Sequence, residues 1–133
     1  MSKINDIASA IADILKDYGA KVVSVPKYEL EDTLQMQVSV CAVSMKAEML
    51  SKRTDEEIYV FEVGVMKHIS SESEFKEMLD KLETIRLLFK HRELDNMGTF
   101  CFKIENDPAY VHEHIATLSQ FTGILTLYFK AFQ

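Results

Sequence analysis

The sequence predicts an α+β fold: a two-layer sandwich in which two helices lie on one face of an antiparallel or mixed sheet of about five strands, in the order α-β-β-β-α-β-β. Three observations carry this. Apolar residues recur at helical spacing in two stretches, 4–18 and 75–89. Apolar and polar residues alternate in others, at 34–42, 58–66, 99–105 and 121–130. Only four Gly and two Pro interrupt the chain. No repeat, low-complexity tract or linker divides the 133 residues, so a single domain, 1–133, is expected.

In the first helix Ile4, Ile7, Ala8, Ile11, Ile14, Leu15 and Tyr18 form an apolar face, with Asp6, Asp13, Lys16 and Asp17 opposite. Ser2 suits its N-cap, and Gly19 can close it with a positive φ. Residues 20–25 read as a short strand ended by Pro26, followed by a polar turn holding Tyr28, Glu29 and Leu30. In the next strand Leu34, Met36, Val38, Val40 and Ala42 face one way. Residues 44–57 break the alternation, mix Met45, Met49 and Leu50 with many charges, and read as a long loop. Tyr59, Phe61, Val63 and Val65 then form one apolar row, with Gly64 marking a bulge or a close backbone approach.

The second helix starts at a capping box, Ser71-Glu72-Ser73-Glu74. Its stripe is Phe75, Met78, Leu79, Leu82, Ile85, Leu88 and Phe89, and Lys90, His91 and Arg92 suit its negative end. Phe100, Phe102 and Ile104 alternate with Thr99, Cys101, Lys103 and Glu105. Residues 110–117 fit neither period. In the last strand Phe121, Gly123, Leu125, Leu127 and Phe129 alternate with Thr122, Ile124, Thr126, Tyr128 and Lys130. The sheet face away from the helices should carry Gln35, Gln37, Thr99, Lys103, Thr122, Thr126 and Tyr128, a composition that suits water or a wet protein interface.

The net charge of −6 disfavours tight binding to nucleic-acid phosphates. The densest basic cluster, Lys46, Lys52 and Arg53, is met at once by Asp55, Glu56 and Glu57. No apolar run approaches the roughly 20 residues that span a bilayer, and Asp6 and Asp13 interrupt any signal-peptide core. Cytosolic synthesis and no membrane partner are expected.

Candidates for chemistry are few. His112-Glu113-His114 on a strand would aim two imidazoles the same way, as a metal site needs; a solvated connection is the plainer reading. Cys41 and Cys101 fall in strands and read as small buried hydrophobes rather than nucleophiles. Phe100, Phe102, Phe121, Tyr128 and Phe129 have too little basic company for a single-strand stacking platform, and core or subunit packing is preferred. HExxH, CxxC and glycine-rich phosphate loops do not occur. No catalytic, cofactor or metal residues are assigned, and no enzyme activity is expected.

Three phrases carry a resemblance: Pro26-Lys27-Tyr28-Glu29-Leu30 with Leu34, Met36, Val38 and Val40; Glu105-Asn106-Asp107-Pro108-Ala109-Tyr110; and Phe121 with Leu125-Thr126-Leu127 and Phe129. With the element order and the size, they resemble the tail-terminator proteins of long-tailed bacteriophages and prophages. The resemblance implies a homo-hexameric ring that sits on the last ring of tail-tube protein, ends tube polymerisation and offers its other face to a head-completion or connector protein. DNA passes through without specific binding. Such a part works in the host cytoplasm during assembly and in the virion tail afterwards. The expected interface residues are Tyr28, Glu29, Lys46, Lys52, Arg53, Asp107, Tyr110, Phe121 and Tyr128. An exposed strand edge near 121–132, facing the first helix or the Tyr28 turn of the next copy, would join subunits by strand addition.

Overall fold

A computed structural model describes residues 3–24, 36–49, 55–94, 98–106 and 109–132. Among these residues it holds α1 (Lys3–Ile14), β1 (Lys21–Val23), β2 (Gln37–Met49), β3 (Asp55–His68), α2 (Glu72–Phe89), β4 (Glu93–Leu94), β5 (Thr99–Glu105), α3 (His112–Leu118) and β6 (Gln120–Phe132), with a 3-10 turn at Lys16–Tyr18 after α1. The fold is mixed α+β: a six-stranded sheet, curled as a half-barrel, with three helices. Its strand order is β1-β2-β3-β6-β5-β4. This corrects the expected five-strand, two-helix sandwich. The two-residue β4 and the seven-residue α3 are too short to print a period on the sequence.

The core lies on one face of the sheet. Val38 and Val40 of β2, Tyr59, Phe61, Val63 and Val65 of β3, and Phe121, Leu125, Leu127 and Phe129 of β6 are buried there. Ile7, Ala8 and Ile11 of α1, and Met78, Leu82, Ile85 and Phe89 of α2, complete it. The helical stripes and the β3 and β6 rows match the sequence periods. Phe129 meets Phe61 and Phe89 edge to face, at centroid distances of 6.0 and 6.5 Å, a favoured ring geometry. Gly123 is needed for close packing: a Cβ there would lie 2.8 Å from Leu82 Cδ2. A close approach falls at Gly123. Gly64, between Ser39 and Ile124 in unbroken register, marks no bulge.

Local signals act much as the sequence implies. Ser71 Oγ accepts from Glu74 N at 3.2 Å, while the Glu74 carboxylate reaches back one residue further than expected, to Ser70 N and Ser70 Oγ. Gly19 caps the 3-10 turn at φ 73°. The proposed Ser2 cap lies outside the described residues.

Two bulges account for the main departures. One, between Ala42 and Ser44, shifts the β2–β3 register. It destroys the alternation that would have shown β2 continuing to Met49. Much of the expected loop over 44–57 is therefore a hairpin arm, with Met49 paired to Asp55. At roughly 3.3 Å per residue, β2 is about 43 Å long. The second bulge, between Cys101 and Lys103, puts Thr99, Cys101 and Ile104 level with core-facing Ala131, Phe129 and Leu127, while Lys103 pairs with Tyr128. Thr99 is thus buried on the helix side, a correction to its expected place on the outer face.

β6 is central, flanked by β3 along its whole length and by β5 over 126–131. The expected open edge at 121–132 is thus paired with β5 over 126–131, while nearer the start of β6 Thr122 O and Ile124 O accept from Val111 N and Asn106 Nδ2.

Candidate functional site

Two surfaces stand out. The first is an open cleft of about 600 Å3 where the start of α2 meets α3, walled by Ile69, Phe75, Tyr110, His112 and Ile115 with Ser70 and Ser71 at its rim. Tyr110 organises it. Its ring stands edge to face with Phe75 at 4.9 Å, stacks on Phe121 at 6.0 Å and lies 4.5 Å from His112. The phrase 105–110 explains how Tyr110 arrives there: Asn106 Nδ2 donates to Ile124 O at 2.9 Å and to Ala109 O at 3.2 Å. Val111 N then donates to Thr122 O. Asn106 and Val111 are thereby each tied to the margin of β6, Val111 immediately before α3. The rim hydroxyls of Ser70 and Ser71 are engaged with Glu74, so the cleft offers mainly apolar and aromatic surface.

The second surface is the sheet face away from the helices, over β3, β5 and β6. Phe102 and Tyr128 lie 6.2 Å apart. Lys103 Nζ sits over the Tyr128 ring at 5.0 Å and Lys130 Nζ over Phe102 at 4.7 Å, distances at which a cation is attracted to a ring. Lys130 pairs with Glu56 at 2.7 Å and Lys103 with Glu105 at 2.8 Å. The Lys103 ammonium holds the Glu105 carboxyl below its usual range, and Glu105 in turn raises Lys103. Positive and negative charges thus alternate with rings on a half-open plate, a pattern suited to protein contact.

The expected chemistry takes other forms. Residues 112–118 are helical, so His112 and His114 point to different sides rather than together. His114 Nδ1 is 2.7 Å from Thr122 Oγ1, and Gln120 Nε2 donates to the same hydroxyl oxygen. Among the described residues no three His, Cys, Asp or Glu side chains converge as a metal site. Both cysteines are buried and free. Burial pushes the Cys101 thiol up to about 11, and burial with Glu62 nearby raises Cys41, so both stay protonated and weakly nucleophilic near neutrality.

Of the expected interface residues, Tyr28, Glu29, Lys52, Arg53 and Asp107 lie outside the described residues. Lys46 is in the hairpin arm, in register with Ile58. Tyr110 lines the cleft, Phe121 is fully buried beneath it, and Tyr128 is half-buried on the outer plate. Sequence reasoning missed Phe75 as Tyr110's partner and missed Glu56 with Lys130. The first pairing joins residues 35 positions apart, and the second depends on register.

No protein-family profile matches the chain, and no curated protein matches it. Solved structures do match in shape. One, a protein known only by a sequence identifier, aligns over 98% of this chain and 95% of its own with a TM-score of 0.60 at 14% identity. At that identity the likeness concerns the fold alone. No helix among the described residues is long and apolar enough to cross a membrane.

Proposed function

We propose that this chain is a structural component of a long bacteriophage or prophage tail: a ring of copies, six in the arrangement implied by the sequence resemblance, that seats on the last tube ring, stops further polymerisation and offers its other face to the head connector. One observation carries the reading. Of the five large apolar side chains exposed among the described residues, Val22, Val43, Met45 and Phe102 belong to β1, β2 and β5, towards the two margins of one sheet. Single exposed apolar residues are ordinary; their gathering at opposite margins suits a head-to-tail contact between copies. The acidic balance supports a lumen past which DNA slides, because phosphate binding needs lysine and arginine that such a wall withholds.

The test is deletion of the gene from its phage or prophage, with tails measured by electron microscopy. Over-long tails are expected. Tails of regular length that fail to join heads would instead select a neck protein using the same margins, and regular tails on intact virions would remove both readings.

A further inference from the structure

We infer that copies of this chain join head to tail through α2: Leu87 of one copy enters the aromatic cleft at the start of α2 in the next, and Lys90 beside that leucine meets Glu72 at the rim. The contact goes beyond the proposed function. It concerns the association of copies with one another and stands whether or not they cap a tail.

Helical phase sets the knob. Met78, Leu82, Ile85 and Phe89 of α2 are buried in the core. Leu87 falls two residues from both Ile85 and Phe89, about 200° round the helix, so it points away from the core. It is 51% exposed. Of the large apolar side chains exposed among the described residues, it alone stands on a helix. One exposed leucine is ordinary; here a matching hollow lies elsewhere on the same surface.

That hollow is the cleft walled by Ile69, Phe75, Tyr110 and Ile115, about 600 Å3 in volume. Its size and its apolar walls are those of a seat for an apolar group. From Ser71 at its rim to Leu87, α2 rises about 24 Å at 1.5 Å per residue, so no copy can fill its cleft with its own Leu87. Knob and cleft are separate patches. Their contact is heterologous, and it closes into a ring when its rotation divides a full turn.

Charge favours a second copy as the occupant. Chains of net charge −6 repel one another unless patches of opposite sign meet. Among the described residues lining the cleft, Glu72 carries the one carboxylate and none is Lys or Arg. Lys76 approaches Glu72 only at 3.9 Å, with both side chains mostly in water, a pairing that contributes little. At the far end of α2, Lys90, His91 and Arg92 are exposed, with Glu93 after them. Arg92 Nη1 donates to Leu88 O at 3.5 Å, which keeps its charge at the last turn. Glu83, one turn before Leu87, is taken by Arg86 at 3.4 Å. The surround of Leu87 is thus cationic and the rim of the cleft anionic. Lys90 caps α2 one turn beyond Leu87, so its stem can follow the leucine in and carry the ammonium to Glu72.

The experiment follows self-association of the full chain by sedimentation up to millimolar concentration, with two variants at exposed positions. Leu87→Asp removes the knob, and Ala116→Phe, on the α3 wall of the cleft, fills the seat. Each alone should weaken association by about tenfold or more, with circular dichroism confirming the fold. Mixed in equal amounts, the two should pair and stop at dimers, because each keeps the surface that the other has lost. Lys90→Glu should weaken association too, and adding Glu72→Lys should restore it; where Ala116→Phe disturbs the fold, this charge exchange decides alone. Association undiminished in the variants, a mixture that does not pair, or a natural chain that stays single throughout overturns the contact. Tails of regular length after gene deletion would remove the tail reading and leave the contact standing.

Discussion

The two halves of β2 make opposite surfaces from one strand. Around Val38 and Val40 the strand lies under α1, and both valines are buried in the core. Past the bulge after Ala42 it leaves that cover, and Val43 and Met45 stand more than half exposed. Both halves pair fully with β3, so backbone pairing does not distinguish them; helix cover does. The covered half holds the fold together, while Val43 and Met45 of the other half face no helix among the described residues. Substitutions in the two regions should therefore act on different measurements.

The largest loss of stability is expected in the covered region. Phe129→Ala removes a fully buried ring packed against Phe61 and Phe89 and should cost about 3–5 kcal/mol in denaturant unfolding. Gly123→Ala should cost about 1–3 kcal/mol, because its methyl meets Leu82 at 2.8 Å inside a filled core; a loss under a few tenths would show that α2 moves aside freely. Ser71→Ala, which removes the α2 cap, should cost about 1 kcal/mol. In the uncovered arm, Val43→Thr should stay within about 0.5 kcal/mol by the same assay. If it cost as much as a core change, the arm would be part of the fold and the contrast would fail.

Alkaline pH sharpens the comparison where the two halves meet. Tyr59 lies at that level of the sheet, opposite Met45. Burial first, and then the Glu57 carboxylate to which its hydroxyl donates, push it up from 10 to about 12. The folded state favours the neutral phenol, so this contribution is intact below pH 10 and is lost as pH rises towards 12. Cys101, raised from 9 to about 11 by burial, adds a loss of the same sign over a lower window. Tyr59→Phe should flatten the upper part of the decline in melting temperature between pH 10 and 12. An unchanged slope would mean that the phenol is solvated.

The same contrast explains what the sequence revealed. Both long helices, the Ser71 cap and the core rows of β3 and β6 were legible because unbroken periods of 3.6 or 2 record which face is buried. β2 was legible only up to Ala42. There a bulge inserts one residue and shifts the register, so the alternation stops while the strand continues. A second bulge misassigned Thr99 in the same way. The strand order, which puts β6 in the centre rather than at an edge, is a matter of long-range pairing and leaves no local mark. Tyr110 was noticed within its phrase, but its partners Phe75 and Phe121 come together only through the fold.

The most direct measurement of the central claim is the light-scattering mass of the full chain over a wide concentration range, alone and with purified tail-tube ends. The account predicts that the mass rises to one discrete multiple of the single chain. A mass fixed at one chain under every condition, tube ends included, would contradict it.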